Sequence, residues 1–153
     1  MELPLLHKVI PPIILACCML ASISCHAGQN ESQNMDAFAV QAYVYLMMQD
    51  YRSIDSLPRE HPERSHENRY DRIGTDGFLG VSDLAPHVEI VDIWEWVTMP
   101  NKKMYVLALD DEGQEMIKQW AGSDMSEGWA GLLDVEFKLT IGWRNGEPYL
   151  VGF

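Results

Sequence analysis

The chain has 153 residues, a net charge of −12 and three cysteines, all within its first 25 positions. An acidic surface of that kind repels phosphate backbones, which excludes nucleic acid as a partner, and it opposes attachment to anionic lipid through a basic face. Beyond position 25 the chain offers no thiol nucleophile, no thiolate metal site and no disulfide.

Lys8 precedes an uncharged apolar run, Val9 to Ile23, and small residues follow it, Ser24-Cys25-His26-Ala27. A basic start, an apolar stretch of about 7–15 residues and small residues at the cut are the parts of a secretory signal. A membrane-spanning helix needs about 20 apolar residues. This run is shorter, holds Pro11-Pro12 near its start, and gives way to Gln29-Asn30-Glu31-Ser32-Gln33-Asn34. Two cut sites fit. Ala21-Ser22-Ile23-Ser24-Cys25 resembles the box of bacterial lipoproteins. That resemblance implies that residues 1–24 are removed, that Cys25 becomes the lipidated first residue, and that delivery is to the outer membrane. Cys25-His26-Ala27 resembles the A-x-A cleavage pattern, which implies a cut after Ala27 and a soluble periplasmic or secreted protein. Either way the domain belongs to the bacterial cell envelope or beyond it, and touches a membrane only through an N-terminal lipid. What remains is long enough for one domain with its own core.

Residues 25–33 read as a flexible tether, and 34–153 as a single domain. Asn34 is placed to cap a helix from Met35 to Asp55, with Asp36 at the positive end of its dipole. Ala37, Phe38, Val40, Ala42, Tyr43, Val44, Tyr45, Leu46, Met47 and Met48 leave only Gln41 and Gln49 as polar breaks, so this helix is buried on most faces. Pro58 ends it. Arg59 to Arg72 alternates charges of both signs and reads as a solvated loop, which Gly74, Gly77, Gly80 and Pro86 extend.

From His87 the pattern is that of strands. Val88 to Met99 is rich in β-branched and aromatic residues, with Trp94 and Trp96 on one face. Pro100-Asn101-Lys102 reads as a turn, and Met104 to Leu109 as the returning strand. Asp110 or Asp111 caps a short helix with Met116, Ile117, Trp120 and Ala121 on one side, and Gly122 ends it. From Asp134 to Trp143 polar and apolar residues alternate. Asn145-Gly146 favours the tight turn of a hairpin, and Tyr149 to Phe153 returns. Pro148 cannot donate to a ladder, so the last strand is an edge there.

The fold class is therefore α+β: a long N-terminal helix packed on an antiparallel sheet of two hairpins, with a short helix between them. The leading apolar helix and the terminal pair Phe137-Lys-Leu-Thr-Ile-Gly-Trp143 and Asn145-Gly-Glu-Pro-Tyr-Leu-Val-Gly-Phe153 resemble the cone-shaped NTF2-like and cystatin-like domains. Such a fold hosts many functions and selects none.

Several residues have the chemistry for a site. His61 and His66 lie among Glu60, Glu63 and Glu67, a set of zinc-ligand types. Asp71 to Gly77 has the outline of a calcium loop, and Ser82 sits in a Gly80-Val-Ser-Asp-Leu84 stretch reminiscent of a nucleophile elbow. Asp92 and His87 flank the Trp94/Trp96 strand; a carboxylate inside an aromatic cone has the raised pKa of a general base. Trp129, with Glu127 and Asp124 beside it in a glycine-rich stretch, is a candidate anchor for a protein partner. No dinucleotide or phosphate-loop fingerprint occurs, and no cofactor is expected. The composition favours a non-enzymatic binding module for a protein partner of basic charge, by analogy of size, export and charge with inhibitor and immunity proteins. A small-molecule binder or enzyme with a cone-shaped pocket, and an accessory lipoprotein of an envelope complex, are the alternatives.

Overall fold

A computed structural model describes the backbone of residues 12–64 and 79–153, and side chains from residue 29 onward within them. The chain divides into two compact units, Met1–Gln33 and Asn34–Phe153. Helix α1 is Pro12–Met47; the second unit holds its C-terminal part, followed by α2 (Tyr51–Ser56), α3 (Val81–Leu84), β1 (Val88–Trp96), β2 (Met99–Leu109), α4 (Asp111–Ala121), α5 (Glu127–Leu133), β3 (Phe137–Arg144) and β4 (Glu147–Gly152). The signal residues Lys8 to Pro11, and the side chains of Cys25 and its neighbours, lie outside the described residues, as do His66, Asp71 and Gly77.

The α+β architecture follows the pattern of the sequence. Four antiparallel strands lie in the order β1-β2-β3-β4, so every neighbour in the chain is a neighbour in the sheet. Met35, Phe38, Ala39, Ala42, Tyr43, Leu46 and Met47 recur three or four apart on α1 and are buried. Opposite them stand Tyr105, Leu107 and Leu109 of β2 and Phe137, Leu139 and Ile141 of β3. The Tyr105 hydroxyl donates to the Asp36 carboxylate at 2.8 Å, and Tyr43 lies 6.4 Å from Phe137 between ring centroids. Burial pushes the Tyr43 phenol up to about 12, and burial with the neighbouring Asp36 raises Tyr105 well above the usual tyrosine range.

The helix expected from Met35 to Asp55 differs at both ends. Asn34 lies inside α1, which runs back to Pro12. At the other end α1 stops at Met47. Gln49 takes a left-handed φ of 57°, its N–H bonds to the Leu46 carbonyl, and the Asp50 N–H reaches back to Tyr45. This is the glycine-type helix stop built with a glutamine. Asp50 then caps α2, its carboxylate accepting the Ser53 N–H at 3.0 Å.

The first part of the expected solvated loop is pinned to the sheet. Leu150 N–H donates to the Pro58 carbonyl and Glu60 N–H to the Leu150 carbonyl, each at 2.8 Å, so Pro58 to Glu60 runs parallel beside β4. Lys102 clamps Glu60 at 2.7 Å, holding the Glu60 carboxyl below its ordinary value. The outer edge of β4, where Pro148 sits, is thus partly covered.

Short helix α4 follows expectation. Asp110 caps it by accepting the Gly113 N–H at 2.7 Å, and Gly122 ends it at φ 51°. The Asn145-Gly146 turn has φ of 57° and 84°, the left-handed pair that the tight hairpin turn requires. Strand β3 begins at Phe137 rather than Asp134, which leaves Val135 exposed.

Candidate functional site

The surface that stands out is the β1–β2 hairpin, and its form comes from two irregularities. The turn lies at Val97-Thr98, with Trp96 opposite Met99, and not at Pro100-Asn101-Lys102, which belong to β2. Pro100 lacks a ladder donor, but pairing with β3 starts only at Lys102 opposite Gly142, and the β1 register breaks between Glu95 and Trp96. No hydrogen bond is demanded of it on either side. The second irregularity is a bulge at Val91. Ile90 pairs with Leu107 but Asp92 with Val106, so one residue of β1 is left over.

The bulge inverts the alternation of β1. Val88 and Ile90 share the core face with Leu109 and Leu107. Past Val91, Ile93 is opposite Tyr105 on that face, while Asp92 and Trp94 fall on the outer face opposite Val106 and Met104. Trp94 covers the outer face with its ring 47% exposed, and Lys138 stands 4.9 Å above it. The Asp92 carboxylate accepts the Ile93 backbone N–H at 2.8 Å and also the Trp94 indole N–H. Glu95 is held by Lys103 at 2.9 Å. Glu89 has no cation partner among the described residues.

At the turn Val97 is 100% exposed. Val91, Ile93, Trp94 and Met99 are also large apolar side chains in solvent, so five of the eight such residues described fall on this hairpin. The other three are Leu132, Val135 and Phe153. Ile93 and Trp94 lie on opposite sides of the sheet, so the exposure gathers around one hairpin rather than on one face, and it contrasts with the ordinary scatter of single exposed residues.

The residues expected to carry chemistry are not gathered into one place. Asp92 points along the outer face of the edge strand, not into an aromatic interior. His87 lies where β1 begins; its Nδ1 is 3.1 Å from Asp110, whose carboxyl is held below the ordinary aspartate value by the Gly113 N–H and by His87. His87 and Asp92 therefore have separate partners. His61 pairs with exposed Glu63 at 3.1 Å, and no group of three or more His, Cys, Asp or Glu side chains is placed to hold a metal among the described residues. Ser82 is exposed in α3, where Asp83 caps the helix by accepting the Gly80 N–H at 2.8 Å.

Trp129 is a correction. The glycine-rich stretch around it folds into α5, capped by Ser126, and the ring is 2% exposed. It stands edge-on to Trp120, with ring centroids 6.3 Å apart, and its indole N–H donates to the Met47 carbonyl at 2.6 Å. It is a core side chain and no surface anchor. Glu127 in the first turn of α5 and Asp124 before it remain exposed.

The hairpin surface has a signal in the sequence. Val88-Glu-Ile-Val-Asp-Ile-Trp-Glu-Trp-Val97 places apolar residues side by side at 90–91 and 93–94. A half-buried strand with strict alternation cannot do that. Comparison of the chain with family models, curated proteins and solved structures finds no match.

Proposed function

We propose that this chain is a non-enzymatic binding module of the bacterial cell envelope, held at the membrane by a lipid on Cys25, and that it grips a protein partner through the β1–β2 hairpin. One observation carries the reading: Val91, Ile93, Trp94, Val97 and Met99 stand in solvent on a single hairpin. Burying such a group on a partner removes apolar surface from water at about 25 cal/mol per Å². A half-exposed tryptophan is also the side-chain type that most often dominates a binding interface. The charge of −12 favours encounter with a basic protein.

The test is affinity capture from the native envelope with three forms of the protein: the unaltered chain, Val97→Asp, and Leu132→Asp as a control on an exposed residue outside the hairpin. A partner retained by the unaltered chain and by the Leu132 variant but lost with Val97→Asp supports the module. Equal retention by all three contradicts it.

A further inference from the structure

We propose that the partner contributes an extended segment of alternating basic and apolar residues, which adds to the sheet as a fifth strand along Asp92–Trp96 of β1. The inference rests on the module reading above and names what its hairpin receives.

The two edges of the sheet are unequal. Beside β4 the chain has laid Pro58 to Glu60 and tied them there through Leu150. Beside β1 no strand lies among the described residues, because β1 ends the sheet. Edge strands with free amides accept further strands unless something blunts them. Here the blunting is local. The bulge at Val91 separates Val88–Ile90 from Asp92–Trp96, and the Ile93 N–H is satisfied by the Asp92 side chain. A side-chain acceptor of that kind can be exchanged for the carbonyl of an incoming strand.

Charge selects the occupant. In the register that overlaps β1 fully with a second copy of itself, Val88 opposite Trp96, Asp92 meets Asp92 and Glu89 meets Glu95. Like charges directly opposite are destabilising, so self-pairing is opposed. A basic side chain in the incoming strand meets the reverse. On the outer face it stands against Asp92, freed from the Ile93 amide, and the stem of the next residue on that face packs against the exposed part of the Trp94 ring, over which Lys138 already stands. The residue between them faces Ile93 on the other side of the sheet, where an apolar side chain fits.

The probe is a synthetic hexapeptide of alternating lysine and valine, titrated into the Cys25→Ser protein freed of its lipid. Two controls go with it: the same peptide with N-methylated central amides, which keeps its charge but cannot form a ladder, and a glutamate–valine peptide. Amide exchange at Ile93 and the Trp94 indole N–H resonance are followed by NMR, and affinity by calorimetry. The expected result is that the lysine peptide slows exchange at Ile93 about tenfold or more, and that each control binds at least about tenfold more weakly. Asp92→Asn weakens the lysine peptide several-fold while leaving the fold unchanged. Equal binding of the N-methylated peptide, protection confined to amides outside β1, or protection that rises with protein concentration alone through self-pairing would each overturn the proposal. If peptide addition fails while Val97→Asp still abolishes capture of the native partner, strand addition is wrong and the module stands. If that variant leaves capture intact, the module itself is wrong.

Discussion

Trp129 Nε1 donates to the carbonyl oxygen of Met47 at 2.6 Å, across 82 residues of sequence. Met47 is the last residue of α1, and its carbonyl is one of the groups that a helix end leaves without an intrahelical partner. The indole thus closes the helix while filling the space against Trp120. Trp129→Phe keeps most of the volume and loses the donor, for an expected cost of about 1–2 kcal/mol. Trp129→Ala also opens a cavity, for about 3–5 kcal/mol. Urea unfolding of the two variants orders them; equal, small losses would contradict a buried, hydrogen-bonded ring.

Gln49 holds the same helix end from the other side. A non-glycine residue at φ 57° is strained, and nothing but the turn requires it there. Gln49→Gly is expected to stabilise the protein by about 0.5–1 kcal/mol, the relieved strain being partly offset by the freer unfolded chain. A shift of the urea midpoint upward at unchanged slope is the result to look for.

These two residues also show where the sequence could and could not be read. α4 and the C-terminal hairpin were legible because their signals are local: Asp110 three residues before Gly113, Gly122 past the last turn, Asn145-Gly146 between alternating runs. The end of α1 was not, because its stop residue is a glutamine and its last carbonyl is satisfied from α5. The glycine-rich stretch around Trp129 reads as exposed for the same reason, since the carbonyl that accepts its indole N–H is supplied from far along the chain. On β1 the apolar neighbours at 90–91 and 93–94 mark a lost phase, but the position of the bulge and the tolerance of Pro100 depend on which strand lies alongside, and a single strand does not reveal its neighbours. The candidate site was visible only in part. Asp92 is legible as a candidate, but for an interior it does not face, and no local signal marks Val97.

Two glycines are close approaches. A methyl group on Gly113 would lie 2.7 Å from His87 Cβ and 2.9 Å from Leu109 Cδ2. On helix propensity alone Gly113→Ala should gain about 1 kcal/mol. Overpacking costs about 1–3 kcal/mol and wins, so the variant is expected to be net destabilised. Gly142→Ala meets the Tyr149 ring, with Cε1 2.6 Å from the new methyl, and is expected to be destabilised by a similar amount. Thermal unfolding of both variants checks the sign.

The pH profile has two limbs. Tyr43, at about 12, and Tyr105, higher still, have folded pKa values above those of the unfolded chain. Their neutral forms stabilise the fold fully below pH 10, and that contribution is lost as the pH rises through the folded values. Absorbance at the tyrosinate band is expected to show these two phenols titrating only as the protein unfolds. Asp110 acts in the opposite direction. Its depressed folded pKa contributes stability that is present above the ordinary aspartate value and lost as the pH falls through the lower one. Asp110→Asn is expected to make the acid limb shallower, the part due to Glu60 remaining, and to leave the alkaline limb in place.

The claim on which the functional account turns is that the β1–β2 hairpin touches a partner. A photo-crosslinking side chain placed at Val97, with a second copy of the experiment at Leu132, tests it in cells that make the protein. At a fully exposed tip the substitution should change stability by no more than about 0.5 kcal/mol. The account predicts one discrete protein adduct from position 97 and none from position 132. No adduct at 97, or the same adducts from both positions, would contradict it.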